Sequence, residues 1–239
     1  MVNNKNGEGK AEYVCRMFAS IAHRYDLLNA ILSFGFDSGW RRFTIAQIEG
    51  IPNGLILDLA TGTGKIALLV VRCLPASTVV GVDFCSQMLA VAREKLKAAS
   101  LENRVTLIQG DALRLPFPDN TFDCVTIGFA LRNVTSVASL FSEMVRVTKP
   151  GGKMISLELT RPSVRILEPL HKLYIRIVIR CIGGIVSGKW DAYTYLPRSI
   201  LEFPSPQEVQ KVMEGAGWRK VEIHRLTFGI ATVQTGMKG

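Results

Sequence analysis

The sequence has few histidines and no cysteine pair with the spacing of a metal or redox site. Its three histidines, His23, His171 and His224, lie far apart along the 239 residues, so we expect no bound metal. None of its five cysteines forms a CxxC motif. Scattered cysteines, odd in number, are typical of reduced thiols, which indicates a cytoplasmic protein rather than one from an oxidising compartment.

Long apolar runs are also missing. No charge-free stretch approaches the roughly 18–20 residues that cross a membrane. The first ten residues, MVNNKNGEGK, contain no apolar segment and so do not predict a secretory signal. We expect residues 1–10 to be a disordered tail. Because 48% of the residues are hydrophobic and 21% are charged, we expect residues 11–239 to form a single globular domain.

Acidic residues are few, and the basic excess is unevenly spread. The chain has 29 lysines and arginines against 20 acids, a net charge of +9. Residues 161–203 alone carry seven basic and three acidic residues. A basic surface suits nucleic acid, anionic lipid or an acidic substrate, and it is also a common solvated face. No basic stripe is rich in aromatic residues, so we expect no nucleic-acid partner.

Short apolar runs alternate with helical patterns from residue 54 to 159. This alternation predicts an α/β fold with a mostly parallel sheet covered by helices on both faces. Two further runs around Thr227–Phe228–Gly229 predict a C-terminal antiparallel hairpin. The predicted strands are residues 55–59, 78–83, 105–109, 122–128, 153–159, 218–226 and 230–236. The predicted helices between and after them are residues 64–73, 86–98, 136–147 and 206–216. The predicted subdivisions are a helical N-terminal cover (11–50), a cofactor-binding core (54–160), a substrate-covering insertion (161–203), and a C-terminal helix and hairpin (204–239).

The first predicted strand and its turn, LILDLATGTGKIA, identify the place where a ligand should bind. A phosphate-binding loop would need a glycine at Leu59 and a hydroxyl residue at Ile66. A dinucleotide motif remains open, because Gly62, Gly64 and Ala67 have the looser spacing. However, Asp58 at the strand end would repel a pyrophosphate and would favour a cationic ligand. Capping of the following helix by Asp58 is the alternative role.

Two further acids lie at the ends of the next two strands. Asp83 ends the second strand, where a carboxylate can accept both hydroxyls of a ribose. Asp111 follows the third strand, beside the expected adenine position. With KPGG at 149–152, these features resemble class I S-adenosylmethionine-dependent methyltransferases, which implies a Rossmann-like seven-stranded sheet. The residues predicted to bind S-adenosylmethionine are Asp58, Gly62, Thr63, Gly64, Asp83, Met88, Asp111, Ala112 and Gly128.

Longer motifs narrow the resemblance. RYDLLNAILSFGFDSGWRR (24–42), FALRNV (129–134) and YLPRSI (195–200) are similar to the ubiquinone/menaquinone biosynthesis C-methyltransferases. That family implies methylation of a ring carbon in a polyprenylated 1,4-quinol. Three positions depart from its usual pattern: Lys65 replaces an acid, Ala130 replaces a glycine, and Gly128 stands where a small hydroxyl residue is common.

The same motifs supply the candidate catalytic and substrate residues. Arg132 and Asn133 follow the fourth predicted strand, at the ligand edge of the sheet. An arginine stays protonated in proteins, so Arg132 would stabilise a phenolate or orient a water, while Asn133 would contact a quinol oxygen. A salt bridge to a neighbouring loop is the alternative for Arg132. Tyr25 is the third candidate catalytic residue, and Tyr193 and Tyr195 are predicted to line the substrate site.

The insertion predicts a helix with two different faces. Lys172, Arg176 and Arg180 share one face by their i, i+4, i+8 spacing. An apolar face would comprise Leu170, Leu173, Tyr174, Ile177 and Cys181. This helix would contact a membrane surface or close over a prenyl chain, or it would simply face the core.

The sequence is compatible with more than one assembly and more than one function. Homodimers and complexes with other quinone-biosynthesis enzymes are both compatible with the resemblance. The alternatives are a methyltransferase for another small phenol or lipid, an RNA-binding protein, and a nicotinamide-dependent oxidoreductase.

Overall fold

Helices and strands alternate around one sheet in a computed structural model, which describes residues 9–48, 50, 51, 53–179 and 192–239. The strands are β1 Leu55–Leu59, β2 Thr78–Asp83, β3 Val105–Gln109, β4 Phe122–Gly128, β5 Thr148–Leu159, β6 Trp218–Leu226 and β7 Ala231–Lys238. The helices are α1 Lys10–Ala19, α2 Ala22–Leu32, α3 Phe36–Ala46, α4 Lys65–Cys73, α5 Ser86–Ala98, α6 Val137–Val147, α7 Glu168–Leu173, α8 Ala192–Glu202 and α9 Pro206–Gly215. Residues 1–8 of the predicted tail lie outside the described residues, and α1 already begins at Lys10.

The sheet has seven strands in the order β3-β2-β1-β4-β5-β7-β6. The strands β1 to β5 pair in parallel, and β7 pairs antiparallel with both β5 and β6. The predicted fold class is therefore confirmed, including the C-terminal hairpin. The order reverses beside β1 and β4, so their carboxyl ends form the crevice in which open α/β sheets bind ligands.

Strand β5 begins earlier than the sequence predicts. It starts at Thr148 rather than Lys153, because Thr148 pairs with Phe122 before the register shifts. The segment KPGG therefore lies within the paired strand, where Gly151 adopts a φ of +73°. This irregularity is a bulge, which changes the register without ending the ladder.

Alternate residues of the central strands pack on opposite faces of the sheet. Ile56 lies in a core with Trp40 of α3 and Val70 of α4. Its neighbour Leu57 lies in a second core, with Phe141 of α6 and Met213 of α9. A strand buried on both faces needs this continuous apolar run, as the sequence indicated.

The N-terminal helices and the insertion pack together above the ligand edge. Ile21, Leu28, Ile175 and Ile200 form their shared core. The predicted insertion helix is not one regular α-helix in the described residues. Helix α7 is short and continues as a π-helical turn, Tyr174–Ile179, so the regular α-helical spacing is lost.

Three residues of the predicted apolar face are exposed, so the alternative in which that face packs on the core is wrong. Leu170, Leu173 and Ile177 are 64%, 55% and 52% exposed. His171 and Ile175 are buried in their place. Lys172 pairs with Glu168 at 2.7 Å, which partly neutralises the predicted basic face, and Arg176 is exposed. Arg180 and Cys181 lie outside the described residues. No helix within the described ranges is long and apolar enough to span a bilayer.

Candidate active site

A cavity of about 200 Å³ lies at the carboxyl ends of β1, β2 and β4. Eight of the predicted cofactor residues line it: Asp58, Gly62, Thr63, Asp83, Met88, Asp111, Ala112 and Gly128. Gly64 does not line this cavity. Its φ is +74°, and a Cβ at this position would lie 3.2 Å from the Cβ of Ala92, so the glycine allows close packing of the turn on α5.

Asp58 is a fully buried acid at the end of β1. The hydroxyls of Thr61 and Thr126 donate to its two oxygens at 2.6 and 2.7 Å. Burial disfavours the charged form and raises the pKa of Asp58 to about 6, against the opposing effect of these hydrogen bonds. Gly64 occupies the N-cap position of α4, and Asp58 also accepts the backbone N–H of Ala67 in the first turn of that helix, so the capping alternative is met in part.

Asp83 joins the glycine turn to the end of β2. The backbone N–H groups of Gly62 and Cys85 each donate to its carboxylate at 2.8 Å. Burial again raises the pKa, which these two hydrogen bonds oppose. Neither Asp58 nor Asp83 has an ion-pair partner in the described part of the chain. Two buried carboxylates facing one cavity suit a ligand with positive charge and hydroxyl groups.

The N-terminal helices are attached to the glycine turn by charged groups. The hydroxyl of Thr63 donates to Asp26 of α2 at 2.8 Å, and Lys95 of α5 also pairs with Asp26. Lys65 lies 3.3 Å from Asp37 of α3. The lysine that departs from the usual family pattern is therefore compensated by an acid of the cover.

A second, larger cavity of about 440 Å³ adjoins the first. Its walls are mostly apolar side chains of α1, α2 and the insertion. Phe18, Tyr25, Phe129 and Asn133 line both cavities, so these four residues mark the place where the cavities meet. Phe129 has a φ of +58°, an uncommon conformation for a bulky residue.

Polar groups are concentrated at one wall of the larger cavity. Arg132, Asn133 and Tyr195 all line it. The Tyr195 hydroxyl donates to Oδ1 of Asn133 at 3.2 Å. Burial raises the pKa of Tyr195, and the positive charge of Arg132 opposes that shift. The side chain of Tyr193, which was also predicted to bind substrate, lies outside the described residues.

Arg132 forms the salt bridge that the sequence left as an alternative. Its partner is Glu158 at the end of β5, and the two side chains are 5% and 4% exposed. The sequence analysis missed Glu158. Its position at the carboxyl end of a central strand was the available signal, since ligands of open α/β sheets bind at that edge. Thr61, Thr126 and Asp26 are also absent from the predicted site, because their partners are remote in sequence or depend on the geometry of the turn.

A family model described as the ubiE/COQ5 methyltransferase family matches residues 6–238. The chain belongs to this family. A Geotalea daltonii protein named ubiquinone/menaquinone biosynthesis C-methyltransferase UbiE is 43% identical over 230 residues, covering 96% of this chain and 97% of that protein. A Deinococcus radiodurans protein named demethylmenaquinone methyltransferase is 44% identical over 237 residues, with 99% and 96% covered.

Solved structures support the fold. An S-adenosylmethionine-dependent methyltransferase from Aquifex aeolicus has a TM-score of 0.62 at 18% identity, over 83% of this chain and 89% of that one. With the family, this confirms a methyltransferase and its predicted methyl donor, S-adenosylmethionine. The oxidoreductase and RNA-binding alternatives therefore receive no support from the family.

Proposed function

We propose that this methyltransferase adds a methyl group to a ring carbon of a polyprenylated 1,4-quinol. The relatives' names refer to ubiquinone and menaquinone biosynthesis and to demethylmenaquinone, so the product would be menaquinol or a methylated polyprenyl benzoquinol. The observation that carries the proposal is the junction of two cavities with different chemistry. One is lined by buried acids, and the other is large and mostly apolar with one polar wall.

The acid-lined cavity fits the methyl donor. S-adenosylmethionine supplies a methyl group bonded to a positively charged sulfur. Asp83 would accept the ribose hydroxyls, because a carboxylate with two backbone donors still has free lone pairs. Asp58 would face the positive groups of the ligand, which would favour its ionised form. Asp111, the half-buried Ala112 and Met88 also line this cavity. They would complete the site around the adenine base of the ligand.

The larger cavity fits an apolar ligand that carries a few oxygens. Its volume is within the roughly 300–1,000 Å³ of small-molecule sites. Three of its lining residues hold a buried polar atom without a hydrogen-bond partner among the described residues: Asn29 Nδ2, Arg132 Nε and His171 Nδ1. A purely hydrocarbon ligand would leave such atoms unsatisfied, whereas a quinol with a prenyl chain provides both oxygens and apolar surface.

The residues at the junction would prepare the ring for attack on the methyl group. Arg132 would stabilise the negative charge that develops when the quinol hydroxyl gives its proton to water. Asn133 would contact the same oxygen, and Tyr25 would pack beside the ring. The ring carbon would gain the methyl group as the bond from that group to sulfur breaks, and would then lose its hydrogen as a proton to water, so that the ring becomes aromatic again. The donor is left as an uncharged thioether.

A direct assay tests this proposal. The purified protein is mixed with S-adenosylmethionine and chemically reduced demethylmenaquinone, and the products are identified by mass spectrometry. We expect one added methyl group on the ring. The oxidised quinone is the matched control and should not react, because its ring carbon is electron-poor. A protein that binds the methyl donor but methylates neither naphthoquinol nor polyprenyl benzoquinol would rule the proposal out.

We also propose that the protein contacts a membrane surface around the mouth of the larger cavity. Exposed apolar residues occur in or beside two elements that line this cavity, Leu27 in and Phe34 after α2, and Ile166 before and Leu170 in α7. Phe34 and Leu170 also line the cavity itself. A bilayer would cover this apolar rim and supply a substrate with a prenyl chain. The exposed Arg176 nearby would favour anionic lipid.

A further inference from the structure

Glu158 is a buried acid that lines neither cavity, yet it contacts a proposed catalytic residue at several points. Its Oε1 pairs with Nη1 of Arg132 and accepts the N–H of Leu159 at 2.8 Å. Its Oε2 accepts the backbone N–H of Arg132 at 3.3 Å. One carboxylate therefore holds both the side chain and the backbone of Arg132.

These contacts limit how the Arg132 guanidinium can move. A paired charge in a buried site keeps its geometry, because breaking the pair would leave both charges without compensation. Nη1 faces Glu158, so the remaining edge of the guanidinium is the part available to the larger cavity, which Arg132 lines. The orientation of that edge depends on where β5 places Glu158.

The hydroxyl of Tyr195, at the wall of the larger cavity, is affected by the charges of both Arg132 and Glu158. The charge of Arg132 lowers the pKa of Tyr195, and the charge of Glu158 raises it, although burial has the largest effect. Of the two charges, Arg132 has the stronger effect on Tyr195. A quinol hydroxyl bound at this wall is also a phenol, and it would experience the same two opposing charges.

We propose that Glu158 is a positioning residue for methyl transfer, which holds the Arg132 guanidinium against the larger cavity and balances its charge. This inference rests on the proposed function. The acid would keep the apolar cavity free of net charge before substrate binds. It would also fix the direction from which Arg132 stabilises a developing phenolate.

The test combines Glu158→Gln with Arg132→Gln and the double variant, using reduced demethylmenaquinone and S-adenosylmethionine. We expect Glu158→Gln to lower kcat at least tenfold with little change in the KM for the methyl donor. In the Glu158→Gln variant Arg132 has lost its acidic partner and should favour the phenolate form of the quinol. The acidic limb of the kcat–pH profile should therefore move to lower pH. The double variant should be no slower than Arg132→Gln alone, because Glu158 acts through Arg132. Glu222→Gln, at an acid whose side chain is 68% exposed, is the matched control and should behave as wild type.

Two results would overturn the inference while the wild type remains active. One is a Glu158→Gln enzyme with unchanged kcat and pH profile. The other is an unmoved pH profile together with rate losses that multiply in the double variant, which is the behaviour of a residue that only supports the fold.

If Glu158→Gln does not fold, Glu158→Asp serves instead: it keeps the charge, so we expect a lower kcat with the wild-type pH profile. An Asp variant with wild-type kcat would contradict the positioning role. An inactive wild type would count against the proposed function itself.

Discussion

Asp58 shows how one buried side chain can make ligand binding depend on pH. Its pKa of about 6 in the folded protein lies above the usual 3.8, because burial opposes the charge. The ionised carboxylate therefore costs stability above pH 6, and this cost disappears as the pH falls toward 4. A positively charged ligand offsets the same cost, so cofactor binding and ionisation of Asp58 should favour each other.

We predict that affinity for S-adenosylmethionine falls as the pH drops below about 6, approaching tenfold per pH unit, since binding would then require loss of a proton. Titration calorimetry between pH 5 and 8 measures this. In Asp58→Asn the affinity should be weaker at pH 8 and nearly independent of pH. The cofactor-free Asn variant should also be more stable than wild type at pH 8, by up to about 3 kcal/mol, with the difference vanishing near pH 4. A wild-type affinity that is flat across this range would exclude Asp58 from the charged contact.

Substitution of Arg132 and substitution of Asn133 should slow methyl transfer to different extents. A preorganised cationic donor is worth roughly 3–4 kcal/mol, so Arg132→Gln should slow single-turnover methyl transfer by about 10²–10³-fold. Asn133→Ala removes one neutral hydrogen-bonding group worth ~0.5–1.5 kcal/mol and should cost much less. Higher pH should partly restore Arg132→Gln, because the free quinol then ionises more readily. An Arg132→Gln enzyme with weakened cofactor binding and a wild-type single-turnover rate would show that Arg132 is structural.

At the scale of elements, strand boundaries were largely readable from the sequence. Strands β1 to β4 begin and end at the predicted residues, because each Val- and Ile-rich run meets a turn residue such as Gly54 or Asn120. The orientation of α7 was not readable. Periodicity shows that Leu170 and Leu173 share a face, but it cannot say whether protein or solvent lies there. The ion pair of Arg132 with Glu158 joins the turn after β4 to the end of β5, which local pattern does not reveal.

Helix α1 illustrates an element whose order should depend on the ligand. None of its residues is buried, but Ala11, Val14, Cys15 and Phe18 line the acid-lined cavity. Lys10 donates to the carbonyl of Val134 at 2.8 Å. The helix thus lies over the cavity with little core of its own, as expected for a cover that opens locally.

We predict that S-adenosylmethionine slows amide hydrogen exchange in α1 more than elsewhere. If α1 must open to release the ligand, protection should rise by up to about 100-fold when the ligand is at 100 times its Kd. Exchange measured by mass spectrometry with and without ligand tests this. Helix α9 lines neither cavity and is the internal control. Equal changes in α1 and α9 would mean that α1 is not a cover for the cofactor.

At the scale of the whole molecule, the two cavities and the apolar rim lie in series. The methyl donor would occupy the cavity at the sheet edge, the quinol ring would lie at the junction, and the prenyl chain would extend toward the rim around Phe34 and Leu170. This arrangement would let one face of the molecule contact lipid while the acid-lined cavity stays away from it. The orientation of α7 matters here, because its exposed apolar residues extend the rim.

The last prediction separates the apolar and basic contributions to membrane contact. Phe34→Ser with Leu170→Ser should reduce sedimentation with vesicles by a similar factor at low and high salt, because burial of apolar surface is not screened. Lys172, Arg176 and Arg180 changed to Gln should reduce binding to anionic vesicles mainly at low salt. Phe84→Ser is the matched control, since Phe84 is 46% exposed but lines the acid-lined cavity instead. Undiminished vesicle binding by the Phe34 and Leu170 variant at every salt concentration would exclude the rim as the contact surface.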